Sequence, residues 1–303
     1  MALQPDVAVV VDSACCLPPD LARGRNITIV PHELVIDGRS YRDGVDISPA
    51  VFYKMLRAER LVPTTVAPRP QEFLDRFLAA AEFARNVLCI TVSANFSVAH
   101  RSALAAVEMA GDRLADCQVK VVDSRAAAGA LGLITLAAAR WAQEGHNLDQ
   151  VAARLNRLIP KVNMLAFLDN FDYLNRSGRV SKIKAWTGSL LGVRPLTELQ
   201  GGQARLLERP RSRRRALDRL LDSMKQRTGR APVVVNIMEA DAAGDALEMR
   251  RRIQVEVDCR DMFISQFTPV MGAHTGPGLL GVAFYADEGE WDQTSGMETN
   301  QDD

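Results

Sequence analysis

The sequence predicts an α/β protein of two domains, with a mainly parallel sheet in its first half. Short apolar runs at residues 7–11, 88–92 and 119–122 alternate with amphipathic segments, as strands do when crossover helices join them. The 303 residues leave room for two units at roughly 150 residues each. The rhythm stops at Pro160 and restarts at Met164.

Taken in order, residues 7–11 form a buried strand. Residues 28–42 break the alternation, and Asp37-Gly38 between IVPHELVI and RSYRDG is a two-residue hairpin signal. Phe73, Leu74, Phe77, Leu78 and Ala81 share one helical face. The two further apolar strands follow, and a long Ala-rich helix through residues 131–141 stops near Gly145. A helix over 148–158 places Leu148, Val151, Ala152, Leu155 and Ile159 on one side. Pro160 ends it, because proline disfavours helical geometry in the residue before it. The second half reads as a strand at 165–168, a helix at 217–224, a strand at 233–238 and a helix at 245–255. Strands near 263–267 and 282–285 complete it. The expected domains are therefore 1–160 and 161–287, and the acidic, polar stretch 288–303 is expected to be disordered.

Composition narrows the function. The chain is 47% hydrophobic and 24% charged, ordinary values for a globular protein. Lys plus Arg and Asp plus Glu are 37 each, so no global field favours nucleic acid or an anionic membrane. The opening MALQPDVAVVVDS lacks the basic flank and apolar length of a signal peptide, and no run approaches the roughly 18 apolar residues of a membrane helix. Cys15, Cys16, Cys89, Cys117 and Cys259 are odd in number and irregular in spacing, which argues for reduced thiols. A soluble cytoplasmic protein is expected, without stable membrane insertion.

Ligands of open α/β sheets bind beyond the carboxyl ends of the strands. There this chain places Asp12-Ser13, Ser93 and Asp123-Ser124, with Ser97 slightly beyond and Pro63-Thr64-Thr65 opening another loop. An edge rich in hydroxyls and poor in Lys and His suits a weakly charged head group better than a polyphosphate. The same residues would also serve as helix N-caps, and both uses stay open. Enzyme signatures such as G-x-S-x-G, the Walker loop, H-E-x-x-H and C-x-x-C are missing. Residues 276–281 match G-x-G-x-x-G, but the run leads into a strand where a nucleotide fingerprint must open a helix. Ser97, His100 and Asp123 could form a triad only if the fold brought them together. Cys15-Cys16 reads as two small apolar residues, with no histidine at ligand spacing. No cofactor or metal is expected. His274, among the glycines of MGAHTGPG, is expected in a tight loop where its ring can face a ligand.

Three stretches together resemble the DegV family: VVVDSACCLPPDL near the start, DYLNRSGRVSKIKAWTGSLLGVRPL in the middle and PVMGAHTGPGLLGVAF near the end. The likeness runs from about residue 6 to 286. It implies an EDD-type pair of α/β domains, mainly parallel in the first and mixed-sheet in the second. It also implies a non-catalytic carrier that binds a long-chain, palmitate-like fatty acid between the domains and presents it to a fatty acid kinase. Carried over by motif, Thr65 and Ser97 would contact the carboxylate, His274 would complete the site and Arg179 would support it, with Ser93 at the same edge. Ile183, Trp186, Leu190 and Leu191 are candidate residues of the lipid slot. Two departures stand out: Thr65-Val66-Ala67-Pro68 where the family usually reads Thr-Ser-Gln-Pro, and Phe96-Ser97-Val98-Ala99 where it reads Leu-Ser-Gly-Thr. The expected hydroxyls stay while their polar neighbours go, so ligand choice is open.

Residues 209–215 carry five arginines in seven positions just before a helix, with Ser212 a candidate N-cap. Positive charge at a helix N-terminus opposes the macrodipole by about 0.3–1 kcal/mol per group. Docking of an acidic kinase surface through Arg211 and Arg213 would account for it. A solvated basic face and nucleic-acid contact are the alternatives. Two rival functions also remain: an acyl hydrolase using Ser97 or Ser93, and a regulatory module binding another small ligand.

Overall fold

A computed structural model describes residues 6–58, 61–169, 171–178 and 193–287, together with the backbone of 183–184. The stretch 288–303, Arg179, Trp186, Leu190, Leu191 and the side chain of Ile183 lie outside the described residues.

The chain opens with β1 (Val7–Asp12), a 3-10 turn (Ser13–Cys15), α1 (Pro19–Gly24) and β2 (Ile27–Val30). β3 (Glu33–Ile36) and β4 (Arg39–Arg42) form the expected hairpin, followed by α2 (Pro49–Ala58) and β5 (Thr64–Val66). Ile36 lies opposite Arg39, and the turn residues Asp37 and Gly38 have φ of 48° and 78°. Both values are left-handed, as a two-residue type I′ turn requires. Next come α3 (Pro70–Ala81), β6 (Asn86–Thr91), α4 (Ala99–Ala110), β7 (Gln118–Asp123), α5 (Ala128–Gln143) and α6 (Leu148–Leu158). Strands β2-β1-β6-β7 make a four-stranded sheet in that order, parallel throughout. Strands β4-β3-β5 make a small antiparallel one.

After a 3-10 turn at Ile159–Lys161 come β8 (Asn163–Phe167), α7 (Asp172–Arg176) and β9 (Ile183–Lys184). β10 (Leu196–Gln200), β11 (Gln203–Glu208), α8 (Arg213–Thr228), β12 (Val233–Glu239) and α9 (Ala243–Glu256) follow. β13 (Cys259–Gln266), α10 (Pro269–Thr275) and β14 (Leu280–Ala286) end the fold. The second sheet has the order β13-β12-β14-β8-β10-β11-β9. β12 with β13 and β11 with β9 pair parallel; the other neighbours run antiparallel. Sheet membership changes between β7 and β8, an interval that contains Pro160.

Alternation along the second sheet shows where its two faces go. Leu165, Phe167, Val233, Val235, Ile237, Val282 and Phe284 pack with Leu220, Leu221 and Met224 of α8 and Met249 and Ile253 of α9. Their neighbours Met164, Ala166, Val234, Met238, Ala283 and Tyr285 join a second core that includes β1, β6 and α5. The large sheet is thus buried on both faces, one of them against the first half of the chain. α5 lies between the sheets, touching β1 on one side and β12 and β14 on the other. Close approach explains its small residues. A Cβ on Gly132 would stand 2.8 Å from the Cys15 carbonyl oxygen, and one on Gly129 2.6 Å from Met238 Sδ.

Candidate functional site

A cavity of about 640 Å³ opens between the two sheets. Its wall is drawn from the carboxyl end of β1, the loops at β5 and before α4, the inner face of β8 and β10, and α10. Met164, Ala166, Leu168, Leu199, Phe267 and Leu279 give it an apolar interior.

Thr65, Ser97 and His274 all line it. Thr65, on β5, and His274, on α10, meet through Oγ1 and Nε2 at 3.0 Å, which ties the small sheet to the second half. Ser97 Oγ accepts from Ala99 N at 3.2 Å at the start of α4, so its proton is free to donate elsewhere. Capping and ligand contact are therefore compatible for this hydroxyl. Ser93 is fully buried and is not part of the cavity wall. Its Oγ accepts from Asn95 N at 3.3 Å and sits where a Cβ on Gly202 would come within 2.9 Å.

The expected loop at His274 is a helix, α10. Pro269 at its first turn pre-sets helical φ, and Gly276, at φ 71°, stops it. Gly272, which looks like a breaker in the sequence, is required by packing: a Cβ there would lie 2.4 Å from Tyr53 Oη. The ring of His274 therefore projects from the last turn of a fixed helix.

Of the four His, Arg and Glu side chains on the cavity wall, three escaped the sequence reading. Arg101 is one; it sits in the first turn of α4, just after the Ser97 loop. Glu198 is another; it is buried and paired with Arg227 and, at 3.1 Å, with Arg205. Its charge is thus neutralised from behind and does not oppose an anionic ligand. His32 is the third, and no local signal distinguishes it.

His32 belongs to a buried polar cluster under the cavity. Ser13 Oγ donates to Asp43 Oδ2 at 2.7 Å and accepts from His32 N at 3.1 Å. Asp43 Oδ1 accepts from Val270 N at 3.1 Å, at the start of α10. Asp12 caps the first turn by accepting from Ala14 N at 3.1 Å, and also accepts from Val92 N at 2.7 Å. Ser13 is therefore no N-cap: Asp12 does that work and Ser13 links three elements. Ser124 does not cap α5 either; its Oγ accepts from Ala126 N at 3.1 Å in a local turn. Burial pushes the Asp12 carboxyl up to about 7 and that of Asp43 up to about 6, and holds the His32 imidazole down at about 4.

The supposed triad does not form among the described residues. His100 Nδ1 meets Thr91 Oγ1 at 3.1 Å, and Asp123 Oδ1 accepts from Ala94 N and Arg125 N. His100 and Asp123 line a different, more polar cavity with Lys120 and Asp149. The G-x-G-x-x-G run leads into β14, as expected. All five cysteines are unpaired, and burial raises both the Cys15 and Cys16 thiols. No described helix is long and apolar enough to cross a membrane, and no described cluster of His, Cys, Asp and Glu could hold a metal.

Ser212 caps α8, accepting from Arg215 N at 3.3 Å. Arg211 is exposed, whereas Arg213 turns inward. Arg213 pairs with Asp245, stands 3.4 Å from Asp169, donates to the Gly278 carbonyl at 3.0 Å and covers the Phe167 ring. Local carboxylates thus offset the helix-end charge that the sequence leaves unexplained.

Two α/β sheets enclosing an apolar cavity, with hydroxyls and a histidine along its polar side, define an architecture suited to a small amphipathic ligand. The chain belongs to the DegV family: the family model described as "Uncharacterised protein, DegV family" matches residues 6–287. A DegV domain-containing protein of Caldanaerobacter subterraneus subsp. tengcongensis is 32% identical, covering 92% of this chain and 98% of that one. One from Streptomyces coelicolor is 34% identical, covering 91% and 97%. Among solved structures, a fatty-acid-binding DegV family protein from Thermus thermophilus is similar at TM-score 0.84 and 27% identity, covering 93% of this chain and 99% of that one. A stearic acid-binding protein from Eubacterium ventriosum gives TM-score 0.86 at 25% identity, covering 92% and 98%.

Proposed function

We propose that this protein is a non-catalytic carrier of a long-chain fatty acid, held in the cavity between the two sheets with its carboxylate at Thr65, Ser97 and His274. The observation that carries this reading is the apolar cavity whose polar side gathers those three groups, with Arg101 on the same wall. The fatty acids bound by the Thermus and Eubacterium relatives support the ligand class.

The energetics fit. A C16 acid would bury about 14 methylenes at roughly 0.8 kcal/mol each, on the order of 11 kcal/mol before ordering costs. Hydrogen bonds to an ionised carboxylate add about 1.5–3 kcal/mol apiece. The chain supplies affinity and the hydroxyls fix direction. An acyl hydrolase needs a base on its nucleophile, and among the described residues neither Ser97 nor Ser93 hydrogen-bonds a histidine; the carrier reading requires none. Presentation of the carboxylate to a fatty acid kinase extends this reading, with exposed Arg211 as the docking residue and Arg213 serving the fold.

Solvent extraction of the purified protein followed by mass spectrometry tests the proposal. A co-purified long-chain acid at near-stoichiometric level is expected. A protein that carries no acyl chain and also rejects added palmitate would contradict it.

A further inference from the structure

The wall of the cavity contains a histidine that the carboxylate site does not use. His32 is 4% exposed and lies beside Ala14 on the cavity wall. Its Nδ1 faces Ser13 Oγ at 3.4 Å and Asp12 Oδ1 at 3.8 Å. Among the described residues its Nε2 has no hydrogen-bond partner.

Donor counting assigns the tautomer. A serine hydroxyl has one proton, and that of Ser13 goes to Asp43 Oδ2 at 2.7 Å. Asp43 is held in place by Val270 N at 3.1 Å. Ser13 Oγ can therefore only accept from the ring. Asp12, on the same side, uses both oxygens to accept, from Ala14 N and Val92 N. Ser13 Oγ, the oxygen within hydrogen-bond range of Nδ1, is thus an acceptor and places the proton there. Burial keeps the imidazole neutral, so Nε2 is left with a lone pair. An acceptor on an apolar wall loses its water when a chain fills the cavity, and a ligand that donates a proton to it offsets that penalty. A plain aliphatic chain has no such donor.

We propose that the preferred ligand is a hydroxylated long-chain fatty acid whose chain hydroxyl donates to His32 Nε2. This inference rests on the carrier reading above and names the substrate class of the same cavity. Sites built around a hydrogen-bonding group discriminate strongly against analogues that lack its partner. The Asp43–Ser13–His32 relay makes the acceptor rigid and of fixed polarity.

The test is competition between stearic acid and a panel of its monohydroxy positional isomers, covering the chain from carbon 2 to carbon 18. It is run on the wild-type protein and on His32→Leu. One contiguous set of positions is expected to out-compete stearic acid by roughly tenfold. That advantage should vanish in His32→Leu, which keeps its affinity for stearic acid. If no position gains, or the gain survives in His32→Leu, the inference is overturned and the carrier reading stands. If neither class of acid binds the wild type, both fall. Nitrogen-15 NMR of the wild-type imidazole gives a check that needs no variant: a protonated Nδ1 and bare Nε2 are expected, and a proton on Nε2 overturns the proposal.

Discussion

Substituting Gly272 by alanine probes how the histidine of the site is positioned. Gly272 sits in α10, two residues before His274, and packs on Tyr53 of α2. The added methyl carbon would stand 2.4 Å from Tyr53 Oη and 2.8 Å from its Cζ. Tyr53 is 2% exposed, and its hydroxyl donates to the Phe267 carbonyl at 3.2 Å, so the ring has no free direction. Overpacking of this kind costs about 1–3 kcal/mol, and loss of the hydroxyl bond about 1 kcal/mol more. The gain in helix propensity returns about 1 kcal/mol. Gly272→Ala is therefore expected to lose about 1–3 kcal/mol by urea denaturation, with weaker fatty-acid binding as α10 shifts away from Thr65. Tyr53→Phe removes the closest atom of the clash, so the double variant should be more stable than additivity predicts, by on the order of 1 kcal/mol. A Gly272→Ala protein as stable as wild type, or strict additivity in the pair, would refute the packing argument.

Other predictions follow from the same geometry. Thr65→Val and Ser97→Ala each remove one donor to the proposed carboxylate and should weaken palmitate binding roughly tenfold, read by direct titration; unchanged affinity in both would move the head group elsewhere. His32 is held at about 4 against an ordinary 6.5, so as pH falls through that window the unfolded chain binds a proton the folded one refuses, and stability is lost. Asp12 and Asp43, raised to about 7 and about 6, act oppositely, losing stability as pH rises from about 4. His32→Gln cancels only the first effect, so its unfolding free energy relative to wild type should increase by about 2–3 kcal/mol between pH 7.5 and pH 4.5; a flat difference contradicts the buried neutral ring. Arg213→Ala should destabilise by about 1–3 kcal/mol through unpaired Asp245 and an uncovered Phe167 ring, while Arg211→Ala stays within about 0.5 kcal/mol by thermal and urea unfolding.

Much of this architecture is visible in local chemistry. The mostly apolar runs of β1 and β6 declare buried strands, Asp37-Gly38 declares its turn, and the spacing of Leu148, Val151, Ala152 and Leu155 declares α6, whose Asn147 cap and Gln150 form a capping box. Gly201-Gly202 joins β10 to β11 with φ of 58° and 76° and was an available signal for that hairpin. The strand order of the mixed sheet was not legible, because pairing β8 with both β10 and β14 depends on contacts between distant segments. Glycine misled at α10: Gly272 signals a break when read alone, yet it is small because Tyr53 presses on the helix. The cluster of Asp12, Ser13, His32 and Asp43 was hidden for a similar reason. Asp12 and Ser13 lie at the end of β1, His32 lies between β2 and β3 and Asp43 follows β4, so they meet only when these segments converge beside α10.

The most direct test is a crystal structure of the protein with palmitate. The account predicts a carboxylate within ~3 Å of the Thr65 and Ser97 hydroxyls and of the His274 ring, with the chain running past Met164, Leu168 and Leu199. An acyl chain on the outer surface, or a carboxylate bound away from all three groups, would contradict it.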